Sequence, residues 1–315
     1  MRIVFMGTPD FAVPSLTQVH ASSHDVVLVV TQPDRPAGRG RRLTPPPVKT
    51  TAIELGIPVQ QPESINTPEF AATLRELAPD VLVVVAFGQI LSEELLSVPP
   101  MGSVNVHGSL LPRYRGVAPI NWAVAHGETE TGVTTMFMAR KVDAGEIILR
   151  RSTPIGENET AGELYARLSK LGAGLLVETL DLIDRGEAPR VKQDPELVTY
   201  ARKLKKDDGI IDWSRDAKSV HDHIRGMTPW PGARTSWDGR ALTVLATKVG
   251  ETSGEPGRPG EVVSLDTDRG IEVATGRGTV WLERLRPSGK SVMNADAFVR
   301  GYRPEVGTTL FGADR

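Results

Sequence analysis

The chain has 315 residues, of which 39% are hydrophobic and 24% charged, and its formal net charge is −2 at pH 7. These values are typical of a globular protein with one or two domains. The chain contains no cysteine, which excludes disulfides, thiolate nucleophiles and cysteine-ligated metal centres. It begins with a strand-like segment rather than a signal peptide, and no stretch approaches the roughly 18 apolar residues of a membrane span. We therefore expect a cytoplasmic protein without a membrane partner.

Short apolar segments rich in valine alternate with helical patterns along the first half of the chain. Continuous apolar runs of this length are typical of strands buried on both faces of a parallel sheet. This order predicts an α/β domain with a Rossmann-like open parallel sheet. The expected strands are Ile3–Met6, Asp25–Val30, Val81–Ala86, Gly102–His107 and Thr131–Met138, with an edge strand at Glu146–Ile155, and the expected helices lie near Phe11–His20, Val48–Leu55, Phe70–Leu77 and Ala118–His126.

The second half of the chain follows a different pattern. Thr160 and Glu163 form a capping box that opens a long amphipathic helix. Gly186–Lys206 is polar and has no clear period, so we interpret it as an interdomain linker. The predicted domains are residues 1–189 and 208–315, joined by a linker at 190–207. In the second domain, a helix near Ala217–Arg225 precedes short strands typical of a small all-β unit, at Ala241–Thr247, Gly260–Leu265, Gly270–Thr275 and Gly278–Leu285.

Asn105 and His107 are the most informative polar residues. Alternate side chains of a strand share a face, so both point to the same side at the end of the strand. The carboxyl edge of a parallel sheet is where α/β proteins present chemistry, and an amide beside an imidazole suits carbonyl polarisation and proton transfer. Asp143, in a tight turn, could fix the tautomer of His107 and favour its protonated form. The same spacing also fits a hydrogen-bonded structural histidine, and spacing alone leaves both interpretations open.

Residues 32–49 form a basic segment in which five Lys and Arg residues accompany one Asp. Five prolines and two glycines in this segment predict a loop without helix or strand. The loop follows the second strand and so rises from the same sheet edge as His107. It is either a solvated surface or a place where arginines contact the phosphates of a polyanion. The arginines concerned are Arg35, Arg39, Arg41 and Arg42.

Two other motifs give weaker signals. His221 and His223 are two residues apart on an expected helix, so they do not share a face on which to bind a metal. Thr228–Gly232 reads as a rigid turn that packs Trp230 into the core or a domain interface, with base stacking on Trp230 as the less favoured alternative.

The segments Asn105-Val-His-Gly-Ser-Leu-Leu-Pro112 and Asp143-Ala-Gly145 resemble the folate-dependent formyltransferases. The opening Gly7-Thr-Pro-Asp-Phe-Ala12 and the segment Thr31–Gly40 extend the resemblance, which runs from Arg2 to about Lys290. It implies a C-terminal OB-like β-barrel that contacts tRNA. It also implies transfer of the formyl group of 10-formyltetrahydrofolate to the α-amine of methionine on initiator tRNA, through a tetrahedral intermediate.

The resemblance further implies roles for individual residues. Asn105, His107 and Asp143 would be catalytic, with no metal and no covalent intermediate. The basic segment would enter the acceptor end of the tRNA, with a role for Arg39 in particular, and we expect a monomer. The folate would lie against Ser109, Leu110, Leu111 and Pro112 and be flanked by Phe87 and Ile90, although core packing explains the last two equally well.

Two other functions stay open at this point. A formyltransferase acting on a small amine, such as a purine precursor or a sugar nucleotide, would share Asn105, His107 and Asp143 but would need neither the basic segment nor the β-rich tail. A non-catalytic RNA-binding module built on the same fold would not need the three polar residues.

Overall fold

A computed structural model of the chain describes residues 1–38, 40, 42–254 and 256–312, which fall into two units. The first unit comprises Met1–Val117, Gly132–Thr153 and Tyr165–Ala201, and the second comprises Ala118–Thr131, Pro154–Leu164 and the chain from Arg202 onward. Each unit thus contains segments from separate parts of the chain, whereas the predicted domains 1–189 and 208–315, with a linker at 190–207, are continuous. The boundaries of these domains stay a prediction.

The helices and long strands between residues 2 and 184 agree closely with the sequence-based expectations. A 3₁₀ turn at Asp10–Ala12 precedes the first α-helix. The elements are β1 Arg2–Gly7, α1 Val13–His20, β2 Asp25–Val30, β3 Arg35–Ala37, β4 Arg42–Thr44, α2 Pro47–Glu54, β5 Val59–Gln60, α3 Pro68–Leu77, β6 Val81–Val85, α4 Glu93–Leu96, β7 Ser103–His107, β8 Arg115–Gly116, α5 Pro119–Ala125, β9 Glu130–Phe137, β10 Ile147–Pro154, α6 Ala161–Asp184 and β11 Tyr200–Ala201.

A seven-stranded sheet forms the centre of the first unit, in the order β10-β9-β7-β6-β1-β2-β5. The pairs β2–β5, β1–β2, β1–β6 and β6–β7 are parallel, whereas β7 and β9 are antiparallel. All five residues of β6 are buried, as expected of a strand covered on both faces. The predicted Rossmann-like parallel sheet is therefore confirmed, and β10 is an edge strand as expected. The parallel strands direct the carboxyl ends of β1, β6 and β7 to one edge of this sheet.

The basic segment contains a short hairpin, so the prediction of a loop without strands is wrong. Strands β3 and β4 pair antiparallel, with Arg35 opposite Thr44 and Pro36 opposite Leu43. Proline is tolerated in an isolated two-stranded ribbon because no further strand needs the N–H group that it lacks. The hairpin places Arg35 and Arg42 on exposed strands.

An antiparallel sheet dominates the second unit, in the order β14-β15-β16-β13-β12-β18, and β17 pairs with β16. Leu310 N donates to Gly260 O over 2.7 Å, and Thr235 Oγ1 donates to Phe311 O over 2.6 Å. β18 thus bonds to β12, and Leu310, which precedes β18, bonds to Gly260, two residues before β14 begins. The OB-like barrel itself stays a prediction. The elements are α7 Ala217–Gly226, β12 Ala233–Trp237, β13 Arg240–Val249, β14 Val262–Asp266, β15 Gly270–Ala274, β16 Thr279–Pro287, β17 Met293–Asn294, α8 Ala295–Tyr302 and β18 Phe311–Gly312.

Close helix packing explains why residues near 118–131 join the second unit. A Cβ atom on Gly226 of α7 would lie 2.6 Å from Cβ of Ala125 on α5, so only glycine allows the two helices to approach this closely. Trp230 is 52% exposed, so the expectation that it packs into the core is wrong, whereas packing at a domain interface stays a prediction. No helix of the described residues is long and apolar enough to span a bilayer.

Candidate active site

Asn105 and His107 occupy the last residues of β7. Val104 and Val106, which alternate with them, are buried, and the alternation of the strand turns Asn105 and His107 to the opposite face. Asn105 Nδ2 donates one hydrogen bond of 3.0 Å to the carbonyl oxygen of Val84 on the neighbouring strand β6. This bond fixes the orientation of the amide, which carries a second hydrogen.

His107 and Asp143 lie side by side, as the sequence predicted. Nδ1 of His107 is 3.7 Å from Oδ2 of Asp143, and both side chains are largely buried. Nε2 of His107 lies 2.9 Å from the carbonyl oxygen of Tyr114. Since a carbonyl can only accept, Nε2 carries a hydrogen and donates it. Nδ1 is then the nitrogen that faces Asp143, and at 3.7 Å it makes no direct hydrogen bond to the carboxylate.

The turn that carries Asp143 has a constrained backbone. Asp143 adopts a φ of +52°, in the left-handed region that residues other than glycine rarely visit. Its Oδ2 accepts a hydrogen bond of 2.8 Å from the backbone N–H of Gly116. A Cβ on Gly145 would lie 1.6 Å from the carbonyl oxygen of Phe137, so the chain can pass here only with glycine. Glycine at position 145 is thus required by the close backbone approach.

The turn from Ser109 to Pro112 is held by the buried Thr134 of β9. Thr134 Oγ1 donates to Ser109 O over 2.7 Å and accepts from Leu111 N over 3.1 Å. Ser109 Oγ in turn donates to Arg113 O over 2.6 Å. These bonds fix the main chain immediately beyond His107.

The residues expected to contact folate occupy different environments. Leu111 is buried with Met136 and Ile147, and Pro112 is buried while Leu110 is half-buried. Phe87 belongs to the apolar core beneath the sheet, whereas Ile90 is 68% exposed. Core packing therefore accounts for Phe87, and the folate contacts of this set stay a prediction.

The basic segment is described in part. Arg35 forms an exposed ion pair of 2.8 Å with Glu63, and Arg42 is exposed. Arg39 and Arg41 lie outside the described residues. Asp34 accepts hydrogen bonds from Gln61 and Lys49, which hold the pKa of its carboxyl below the usual value.

Three residues that the sequence analysis missed connect to this site. The Tyr114 carbonyl contacts His107, and Gln193 donates to the carbonyl oxygens of Asp143 and Gly145. The buried Arg115 donates to Gln193. Gln193 lies in the segment interpreted as a linker, where no periodic pattern marks it. No local signal in the sequence could have found it, although Gly116 after Arg115 indicates a tight backbone approach.

The two histidines of α7 are His221, which is hydrogen-bonded, and His223, which is half-buried. His221 Nδ1 contacts Thr247 Oγ1 at 2.8 Å, and Nε2 donates to Glu157 O over 3.1 Å. Burial lowers the pKa of His221 and lowers that of His223 to about 4. Across the part of the chain that the structure describes, no group of three or more His, Cys, Asp or Glu side chains is arranged to hold a metal ion.

Comparison with solved structures supports the fold. WlaRD, a sugar 3N-formyl transferase crystallised with dTDP and 5-N-formyl-THF, aligns with a TM-score of 0.66 and 18% identity, over 92% of this chain and 99% of its own. HypX from Aquifex aeolicus, crystallised with tetrahydrofolic acid, aligns with a TM-score of 0.62 and 19% identity over 97% of this chain. The chain spans about half of HypX, with 48% of that protein covered.

Comparison with protein families covers both halves of the chain. The formyl transferase model matches residues 1–180, and the model of the formyl transferase C-terminal domain matches residues 203–303. The methionyl-tRNA formyltransferases of Citrifermentans bemidjiense and Geotalea daltonii are 51% and 50% identical to the chain over 310 residues. These alignments cover 98% of the chain and 96% and 98% of the two relatives. The chain therefore belongs to the methionyl-tRNA formyltransferase family.

Proposed function

We propose that this protein transfers the formyl group of 10-formyltetrahydrofolate to the α-amino group of methionine on initiator methionyl-tRNA. The observation that carries the chemical part of the proposal is the His107–Asp143 pair at the carboxyl end of β7, 3.7 Å apart and largely buried. The naming of relatives that share half of its residues supports the choice of substrates. A reaction on a charged initiator tRNA also fits a cytoplasmic location.

Asn105 and His107 would stabilise the negative charge that develops on the formyl oxygen. Asn105 uses one amide hydrogen on Val84 O and would donate the other to this oxygen. His107 keeps Nε2–H on Tyr114 O, so the protonated ring would donate from Nδ1. Preorganised donors of this kind contribute about 3–4 kcal/mol each to transition-state stabilisation in acyl transfer.

Asp143 would move the proton that the reaction must relocate. The amine nitrogen forms a bond to the formyl carbon, the bond from that carbon to N10 of the folate breaks, and the proton lost by the amine ends on N10. Asp143 would accept this proton, directly or through water, and return it to the leaving nitrogen. Neither step requires a covalent bond to the protein.

The turn Ser109–Pro112 and the basic hairpin would hold the two substrates. The main chain of the turn is fixed by Thr134, which suits recognition of a flat heterocycle by backbone groups. The exposed Arg35 and Arg42 would contact phosphates near the acceptor end of the tRNA. Arg39 and Arg41 are proposed for the same task on the sequence alone.

A formyltransferase acting on a small amine remains the alternative, and its site would use the same three residues. Such a substrate gives no reason for the exposed arginine hairpin, and the relatives at about 50% identity are named for the tRNA substrate. We therefore favour the charged tRNA as substrate.

Incubation of the purified chain with 10-formyltetrahydrofolate and charged initiator tRNA tests the proposal. Formylmethionine should form on the initiator and far more slowly on elongator methionyl-tRNA. Formylation of a sugar nucleotide or purine precursor, with none on the initiator, would replace the proposal by the alternative.

A further inference from the structure

The segment from residue 190 to 201, which the sequence suggests is a linker, lies against the candidate active site within the first unit. We propose that Gln193 in this segment is a positioning residue for the formyl transfer, acting by holding Asp143 at its distance from His107. The inference rests on the proposed roles of Asp143 and His107.

Gln193 uses both ends of its side-chain amide. Nε2 donates to the carbonyl oxygens of Asp143, at 2.9 Å, and Gly145, at 2.8 Å. Oε1 accepts from Arg115 Nε at 3.0 Å and Nη2 at 2.7 Å. The opposite orientation of the amide would set its N–H groups against those of the guanidinium, so the network permits one arrangement. One side chain therefore spans the Asp143 turn and ties it to a buried arginine.

The Asp143 turn needs such support because its own backbone conformation is unfavourable. Asp143 has a φ of +52°, which an isolated aspartate adopts rarely. Strained backbone of this kind persists only where the surroundings impose it. The two bonds from Gln193 act on the carbonyls of residues 143 and 145, the first and last residues of the Asp143-Ala-Gly145 segment. Losing them would let the carboxylate move away from His107.

A second set of bonds links the same segment to His107. Tyr114 O accepts from His107 Nε2, and Gly116 N donates to Asp143 Oδ2, so residues 114–116 contact both members of the pair. This stretch is itself bonded to the segment: Tyr114 N donates to Thr199 Oγ1 over 2.8 Å. Arg115 N also donates to the same residue, to Thr199 O over 2.9 Å.

The backbones of residues 114–116 and of the 190–201 segment are in close contact. Strands β8 and β11 pair with Gly116 opposite Ala201, and a Cβ on Gly116 would lie 2.5 Å from Ala201 O. The segment thus fixes the imidazole through Tyr114 and the carboxylate through Gly116 and Gln193. Up to Ala201 it is part of the site's scaffold rather than a free connection.

Gln193→Glu is the sharpest test because it keeps the size of the side chain and its bonds from Arg115. A carboxylate cannot donate, however, so the bonds to the Asp143 and Gly145 carbonyls are lost. We expect kcat to fall about 10- to 100-fold, because a misplacement of a reacting group by about 1 Å can cost about 100-fold in rate. KM for both substrates should change by less than about twofold. Gln193→Ala should lower kcat similarly, and Gln18→Glu, the same exchange at an exposed position of α1, should not.

Two further measurements separate positioning from general stability. Because Gln193 is half-buried, water can replace the bonds that it loses, and the Tm of Gln193→Glu should stay within about 3 °C of the parent chain. In an Asp143→Asn background, assayed under single-turnover conditions, Gln193→Glu should cost much less than it costs in the parent, because the two residues act through one group. The inference is overturned if Gln193→Glu keeps more than about half of the parent kcat, if its loss matches a fall in Tm or a rise in KM, or if its cost is equal in both backgrounds. A parent chain without formyl transfer would instead overturn the proposed function.

Discussion

Thr134→Val tests whether one buried hydroxyl holds the turn that follows His107. Thr134 lies opposite His107 in the β7–β9 register and is fully buried. Its Oγ1 accepts from Leu111 N at 3.1 Å and donates to Ser109 O at 2.7 Å. Valine has nearly the same shape, so the substitution removes the two hydrogen bonds without opening a cavity.

The expected cost follows from the two groups that lose their partner. Neither the Leu111 N–H nor the Ser109 carbonyl can reach water at this buried position easily, and an unsatisfied buried group costs about 1–3 kcal/mol. Together they should lower the free energy of unfolding of the first unit by about 2–6 kcal/mol. For a unit of this size, the corresponding fall in Tm is roughly 4–24 °C.

Differential scanning calorimetry of the parent, Thr134→Val and Thr134→Ser measures this cost. Serine keeps the hydroxyl and loses one methyl group, so its loss should be about 1 kcal/mol. Because the turn is proposed to contact the folate, Thr134→Val should also raise KM for 10-formyltetrahydrofolate. A valine variant as stable as the serine variant would refute the claim that this hydroxyl holds the turn.

Three other outcomes are expected. His107→Ala and Asp143→Ala should each lower kcat by about 100- to 1,000-fold while leaving the fold intact; near-normal turnover would contradict their assigned roles. Arg39→Ala should raise KM for the initiator tRNA far more than KM for the folate, and an equal rise in both would show that Arg39 does not act on the tRNA. Burial, aided by the charge of Arg215, lowers the pKa of His223 from 6.5 to about 4. As pH falls, His223 is therefore protonated in the unfolded chain before it is protonated in the folded one. The free energy of unfolding of the second unit should fall by up to about 3 kcal/mol between about pH 6.5 and about pH 4. His223→Gln should reduce the difference in Tm between about pH 7 and about pH 5, and a pH dependence equal to that of the parent would contradict this cause.

The sequence predicted the central sheet and the convergence of its polar residues because both depend on regular periods. The continuous apolar run at Val81–Val85 has the pattern of a strand buried on both faces, and the structure confirms it. The two-residue alternation in β7 placed Asn105 and His107 on one face. Asp143 follows from the family resemblance and from its place in a tight turn after an apolar run, and not from strand direction, because β9 is antiparallel to β7 and ends opposite Val104.

The contacts that organise the site have no such period. Gln193 bonds to a carbonyl 50 residues away, and Tyr114 bonds to a side chain 85 residues away. Irregular segments form these pairs, and composition marks such segments only as polar. The β3–β4 hairpin was missed for a related reason, since its prolines indicate a loop when read locally and are tolerated in an isolated ribbon.

The side chain that stands between Arg115 and the Asp143 turn is an uncharged amide. A guanidinium that bound the carboxylate itself would occupy the oxygens that the proposed reaction uses. Gln193 instead accepts from Arg115 and donates to main-chain carbonyls, so Arg115 anchors the turn through its backbone. The backbone of Asp143 is thus held by Gln193, and its side chain accepts from Gly116 N.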